Sequence, residues 1–307
     1  MIFKIITYER VLYEWLENKK KNIKESSYNK YLFCIRNYLV SNIGNINFKK
    51  LKSCDIDNLF NLDNICNLSN STKNILLIII NFSIKYGFDK KYRKSLIDIN
   101  IKFKKNKNKI KYFTIKEQEI LEKYLNENMN IRNLAILVTL YTGLKLGELC
   151  ALKGTDVDFI NNTICVNKTV QRVNNKDSYS KTKLIIDIPK TENSIRIIPI
   201  PIFIIDHLKK YIKDKDNYIF TGTDKPKDLR TLEKYFTNLL KKLNLKSLNY
   251  HSLRHSYSTR LREQKVDIKV ISILLEHSNW KKTQDTYVHA SLDNIRKSIN
   301  ESGKLCR

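Results

Sequence analysis

"YHSLRHSYSTRLREQ", residues 250–264, begins with a histidine and an arginine three positions apart, His251 and Arg254. The run reads as a helix over 251–263. Positions three apart share a helical face. The two polar groups are therefore predicted to project together, toward whatever that end of the helix approaches. The rest of the chain says what kind of partner that is. Its 57 Lys and Arg against 31 Asp and Glu leave a net charge of +26, a field that selects a polyanion. Nucleic acid comes first and an anionic membrane surface second. A Lys-, Asn- and Ile-rich compositional bias is visible, but by itself it would not hold the acidic residues so low.

With 307 residues, 42% of them hydrophobic, the chain is long enough for two domains and a sizeable core, and it is not disordered. Its six cysteines, Cys34, Cys54, Cys66, Cys150, Cys165 and Cys306, form no CxxC pair and no zinc spacing with histidine. They are expected to be reduced and mostly buried, as in a cytoplasmic protein, with no metal bound. The N-terminus has no signal-peptide pattern. The greasiest run, "ILLIII" at 75–80, is too short to span a bilayer and reads as part of a buried helix.

Outward from the opening helix, residues 1–100 read as a small all-helical bundle. Tyr8, Val11, Leu12, Trp15 and Leu16 keep helical spacing, as do Tyr28, Tyr31, Leu32, Ile35, Tyr38 and Leu39, with Ser26 or Ser27 as cap. A weaker helix is predicted over 53–61. Another runs from Ser71 to about Gly87 and buries Ile75, Ile79 and Phe82. The bundle's tyrosines are expected to pack in or beside the core. Residues 101–112 then carry Lys102, Lys104, Lys105, Lys107, Lys109 and Lys111 with no acid and no apolar period, which reads as a basic linker. Such a run is either simply solvated or lies along phosphates.

Residues 113–307 read as a second, mainly helical domain with a small antiparallel sheet, an α+β class. Thr114 and Glu117 form a capping box at its first helix. "TICVNKTV" (163–170), "KLIIDIP" (183–189) and "SIRIIPI" (194–200) read as strands. The last two are predicted to form a hairpin around Lys190. Further helices are expected over 130–141, 202–213, 228–243, 267–276, 280–288 and 291–300.

Four stretches of this domain set polar groups in unusual places. "YTGLKLGELCALKGTDVDF" (141–159) carries Lys145 after a glycine turn and Glu148 one helical turn later. Lys190 falls between two strands. His251 and Arg254 open the quoted helix. "LLEHSN" (274–279) and "TQDTYVH" (283–289) bring His277 and Tyr287. Taken singly, each has an ordinary reading: a solvated helix face, a turn lysine, a helix C-cap, a packed tyrosine.

Taken together and in this order, "TGLKLGEL", "KTENSIRIIPI", "HSLRHSYSTRL" and "LLEHSN…TQDTYVH" resemble the tyrosine recombinases, or phage-type integrases, over about residues 113–291. The helical front half is similar to that family's core-binding domain, without a motif to carry the likeness. The resemblance implies metal- and ATP-independent phosphoryl transfer on DNA, with no cofactor. It implies Tyr287 as nucleophile, Arg254 gripping the non-bridging oxygens, and His251 sharing the phosphate and managing a proton. Lys190 would protonate the leaving 5′ oxygen, His277 would donate to the phosphate, and Glu148 would orient its neighbours.

Two positions depart from the family pattern. Lys145 stands where the family carries its first catalytic arginine, and lysine lacks the two-pronged grip, so activity is expected to be reduced unless a neighbour such as Lys153 assists. Glu276 stands before His277, where glycine is usual.

Three functions remain open at this stage. The first is a site-specific recombinase of a mobile element or plasmid. The second is a relaxase-like nicking enzyme of plasmid transfer, or a resolvase of replicon dimers. The third is a decayed DNA-binding regulator. The resemblance implies duplex DNA with inverted half-sites, a homodimer on each site, a homotetramer in synapsis and accessory DNA-bending factors as partners. It implies no membrane partner and a cytoplasmic, nucleoid-associated location in a bacterium, and the Lys-, Asn- and Ile-rich bias points to a low-GC source. The stretch 292–307 is expected to pack on a neighbouring subunit, and no separate arm-binding domain is expected.

Overall fold

The structure, a computed structural model, describes residues 5–104, 111–174, 182–187 and 195–275. These fall into two compact units, one within Met1–Asn108 and Val173–Thr182, the other within Lys109–Arg172 and Lys183–Arg307.

The first unit is helical: α1 (Tyr8–Lys20), α2 (Glu25–Cys34), α3 (Ser41–Ile43), α4 (Ser53–Asn61), α5 (Asp63–Cys66) and α6 (Asn70–Asp89). The α1 pattern buries Tyr8, Val11, Leu12, Trp15 and Leu16, as its spacing predicts. The Tyr8 hydroxyl meets Ser83 of α6 at 2.9 Å in the core. Helix α2 starts one residue before the expected serine caps, and its N-cap position, Lys24, supplies no side-chain cap. It runs on into a π-helical turn, Ile35–Val40. The Asn37 and Asn42 amides donate to the Phe33 and Tyr38 carbonyls at 2.8 Å each, side-chain bonds that accompany the widened turn. In α6 the expected Ile79 is buried, in a stripe with Leu76, Ile80, Ser83 and Ile84, while Ile75 is only partly buried. Phe82 stands 49% exposed, because it lies one position off that stripe.

The lysine-rich stretch begins with order that the sequence reading missed. Ile97, Ile99, Ile101 and Phe103 alternate inward onto the bundle, and the Phe103 ring lies 5.0 Å from that of Phe60. The Asn70 amide holds the Lys104 carbonyl at 2.9 Å. Lys102 and Lys104 point outward, and Lys111 is exposed; Lys105, Lys107 and Lys109 lie outside the described residues.

The second unit is built around α8 (Ile131–Thr142), which is buried from Asn133 to Thr142. Helices α7 (Ile115–Glu127), α9 (Leu146–Cys150), α10 (Ile202–Tyr211), α11 (Leu229–Lys242) and α12 (His251–Glu263) surround it, and α13 (Ile268–Leu274) packs on α12. The capping box is present: Thr114 Oγ1 accepts from the Glu117 N–H at 3.3 Å, and the Thr114 N–H donates to the Glu117 carboxylate at 2.7 Å.

Strands β1 (Val157–Asp158), β2 (Thr163–Val166) and β5 (Arg196–Pro199) form one antiparallel sheet, in the order β1-β2-β5. Strands β3 (Thr169–Asn174) and β4 (Thr182–Asp187) form a separate pair. Two expectations are corrected here. The predicted strand 163–170 breaks at Asn167–Lys168, where both side chains turn to Asp156; the Lys168 ammonium reaches its two carboxylate oxygens at 2.6 and 2.8 Å. Among the described residues the strands flanking Lys190 pair with other strands, β4 with β3 and β5 with β2, and the expected hairpin turn, residues 188–194, lies outside the described residues. The fold is mainly α with small sheets, as the sequence reading predicts.

Of the described cysteines, all free, Cys34 and Cys150 are buried, Cys66 and Cys165 are partly buried, and Cys54 is exposed. That exposure departs from the expectation that most are buried; Cys306 lies outside the described residues. Among the described residues no helix is long and apolar enough to cross a membrane.

Candidate active site

Helix α8 ends at Gly143, whose left-handed backbone (φ +65°) turns the chain toward Lys145. A Cβ on Gly143 would lie 2.5 Å from the Tyr257 ring and 2.7 Å from Leu275, so this turn also needs glycine for space. Gly143→Ala is expected to lower unfolding free energy by about 2–4 kcal/mol, combining backbone strain with crowding. Urea unfolding of the purified variant checks this, and an unchanged midpoint would contradict it.

Lys145 occupies the N-cap position of α9, and its N–H donates to the Glu148 carboxylate at 2.9 Å. Its ammonium lies 3.5 Å from the other Glu148 oxygen and its side chain stays 44% exposed. The next turn fits closely against β3: a Cβ on Gly147 would come within 2.5 Å of the Val170 carbonyl oxygen. Glu148 itself is buried and accepts two bonds from Arg196 of β5, at 3.2 and 2.6 Å. Burial would raise the Glu148 carboxyl, but the bonds and charge of Arg196, helped by Lys145, hold it below its usual range. The Arg196 Nε donates to the Leu274 carbonyl at 2.9 Å, at the end of α13.

Helix α12 is anchored before its first turn. The buried Tyr250 hydroxyl donates to the Ala135 carbonyl at 3.2 Å and meets Thr139 at 3.0 Å, both on α8. Ser256 accepts from the Phe113 N–H at 2.9 Å. So fixed, Arg254 is 5% exposed; it donates to the Gly143 carbonyl at 2.7 Å and also to the Leu275 carbonyl. His251, the first residue of α12, is exposed, and its ring meets that of His255 edge-on at 4.6 Å. The expected shared face is thus divided: Arg254 reaches inward to the carbonyl groups while His251 stays at the surface. Beside Arg254 and Arg196, the buried Tyr257 phenol is pushed up by burial, partly offset by the two guanidinium charges, and its hydroxyl has no hydrogen-bond partner among the described residues.

The structure therefore gathers Glu148, the Lys145 turn and Arg254 at the junction of α8, α9, β5, α12 and α13, with His251 one helical turn before Arg254. Lys190, His277 and Tyr287 lie outside the described residues. Sequence reasoning missed Arg196. The available signal was a charged residue on the inward side of an alternating strand, between the exposed Ile195 and Ile197 and in phase with the buried Ile198. Chemically, the cluster offers a two-pronged cation, a second cation and an imidazole, a set suited to a phosphate carrying developing negative charge. Among the described residues no group of three or more His, Cys, Asp or Glu side chains is arranged to hold a metal ion.

Residues 111–293 match the profile of the phage integrase family, and residues 7–62 match the phage integrase N-terminal SAM-like domain. A tyrosine recombinase XerC-like protein of Caldanaerobacter subterraneus subsp. tengcongensis is 29% identical over 317 residues, covering 94% of this chain and 80% of that protein. Five further tyrosine recombinases align over 52–62% of their own length. Among solved structures, the Tn1549 transposon integrase in complex with a circular intermediate DNA superposes with a TM-score of 0.75 at 21% identity, covering 98% of this chain and 99% of that one. A lambda integrase tetramer bound to a Holliday junction gives 0.68 at 16% identity, covering 92% and 80%. Both structural likenesses are of fold.

Proposed function

The chain belongs to the phage integrase family, and from that membership we propose that it is a site-specific DNA recombinase, of a mobile element or plasmid, working through a 3′-phosphotyrosyl intermediate. The Tyr287 oxygen attacks a DNA phosphorus. The Tyr287 hydroxyl gives its proton to His251 as the Tyr287 O–P bond forms, the P–O5′ bond breaks, and the 5′ oxygen leaves with a proton from Lys190. The 5′ hydroxyl of another strand then attacks the phosphotyrosine and releases Tyr287. One phosphoester replaces another at each step, so no ATP is needed. Arg254, Lys145, His251 and His277 spread positive charge over the five-coordinate phosphorus.

The observation that carries this reading is Arg254. A buried guanidinium set on the carbonyls of Gly143 and Leu275 lies between the Lys145 turn and the segment leading to His277. The DNA partner is a duplex with inverted half-sites, bound by two copies per site and four in synapsis. The net charge of +26 and the tetrameric lambda neighbour support that assembly. The transposon neighbour supports a mobile-element role.

The testing experiment incubates the protein with its site carrying a nick near the cut position. A denaturant-stable protein–DNA adduct, with recombinants from paired sites, is the expected result. Nicked strand without recombinants would favour a relaxase-like enzyme. Binding with no adduct under any condition would leave only a DNA-binding regulator.

Lys145 is the residue that gives those alternatives weight. It keeps a charge at the turn but offers one prong, and it shares that charge with Glu148. Lys145→Arg is accordingly expected to speed adduct formation about ten- to hundredfold. Single-turnover cleavage measures it, and an unchanged or slower rate would remove position 145 from the phosphate contacts.

A further inference from the structure

We propose that Arg196 is a positioning residue for strand cleavage, a strut that fixes the Lys145 turn and the end of α13 to strand β5. The inference rests on the recombinase reading above. All three guanidinium nitrogens of Arg196 are committed: two to the Glu148 carboxylate and Nε to the Leu274 carbonyl. Both partners of the ion pair are only 6% exposed. A buried pair of this kind is a weak device for stability, since desolvation offsets most of the attraction, and a well-packed apolar pair would serve as well. What the pair does supply is geometry. It joins residues 48 and 78 positions apart in the chain.

Each tie lies close in sequence to a residue proposed for chemistry. Glu148 is three residues after Lys145, Arg196 six after Lys190, and Leu274 three before His277. Arg254 makes a parallel bracket, from Gly143 to Leu275, but it also carries the phosphate grip. Each Arg196 nitrogen bonds a protein group. Its effect on the reaction therefore runs through the Lys145 turn and the end of α13. Lysine at 196 would keep the charge on Glu148 but lacks the fork that reaches two carboxylate oxygens and a carbonyl together.

The test uses the full chain and a nicked duplex site, comparing wild type with Arg196→Met, Arg196→Lys and Glu148→Gln. Three quantities are measured: DNA affinity, single-turnover adduct rate at saturating protein, and the thermal midpoint. Misplacement of catalytic groups by about an ångström costs on the order of a hundredfold in rate. The expected result is adduct formation about a hundredfold slower in Arg196→Met, partly restored in Arg196→Lys, with affinity within about threefold of wild type. If Arg196→Met fails to fold, Arg196→Lys and Glu148→Gln carry the same comparison. An unchanged rate in a folded Arg196→Lys, or rate and affinity falling together with the folded fraction, overturns the strut. A wild type that forms no adduct overturns the recombinase reading and this inference with it, an outcome distinct from the first two.

Discussion

Tyr287→Phe is expected to bind the recombination site as tightly as wild type and to form no covalent adduct. The substitution removes one oxygen and leaves the aromatic ring, so its cost falls on the chemical step. Duplex affinity comes mainly from many Lys and Arg contacts to phosphates, and a chain of net charge +26 has those in excess. On the proposed mechanism the attacking oxygen has no substitute: without it no O–P bond forms. The loss is therefore complete rather than graded. Gel shift against denaturing electrophoresis of the same mixture separates the two quantities. Residual adduct in Tyr287→Phe would assign the nucleophile elsewhere.

Arg254→Ala is the second large effect. In a transition state of this kind, one preorganised donor is worth about two to three decades of rate, and a two-pronged cation at least that. A loss of about a thousandfold in adduct formation is expected, with affinity reduced far less. The same side chain satisfies the Gly143 carbonyl at 2.7 Å and also bonds that of Leu275. Its removal leaves buried acceptors unpaired and should cost about 1–3 kcal/mol of stability as well. Arg254→Lys keeps one prong and one carbonyl contact and should fall between the two. A rate loss in Arg254→Ala no larger than its loss of folded fraction would reduce Arg254 to a structural role.

Glu148 adds a pH signature. Its folded carboxyl lies below the usual carboxylate range, so the pair's contribution is present above the unfolded value and is lost as pH falls through the lower folded one. Acid unfolding of wild type should therefore begin below the usual carboxylate range, and Arg196→Met, whose Glu148 loses its main support, should unfold at higher pH. Coincident acid transitions would contradict the pairing.

The parts of this fold that were legible in sequence are those fixed by neighbours in the chain. The stripe Tyr8, Val11, Leu12, Trp15, Leu16 gives α1 directly, and Thr114 with Glu117 marks the start of α7. His251 and Arg254 fall on one helix, as their spacing predicts. Non-local choices were not legible. A strand pattern over 163–170 says nothing of Asp156 drawing in Lys168 and splitting it. Lys190 suggests a hairpin tip, but among the described residues the flanking strands take other partners, β4 with β3 and β5 with β2. Arg196 looked like one more cation in a basic chain, because its partner is 48 residues away. The division of labour between a surface His251 and an inward Arg254 depends on carbonyls supplied by Gly143 and Leu275, which no helical wheel displays.

A recombinase working through Tyr287 leaves a bond between one phenol and one DNA phosphate, and that bond can be mapped. Wild-type protein is trapped on nicked DNA, digested with trypsin and nuclease, and the modified peptide sequenced by mass spectrometry. The expected product is a nucleotide joined through its 3′ phosphate to Tyr287, in the peptide of residues 283–296. A nucleotide attached to any other side chain, or through its 5′ phosphate, would contradict it.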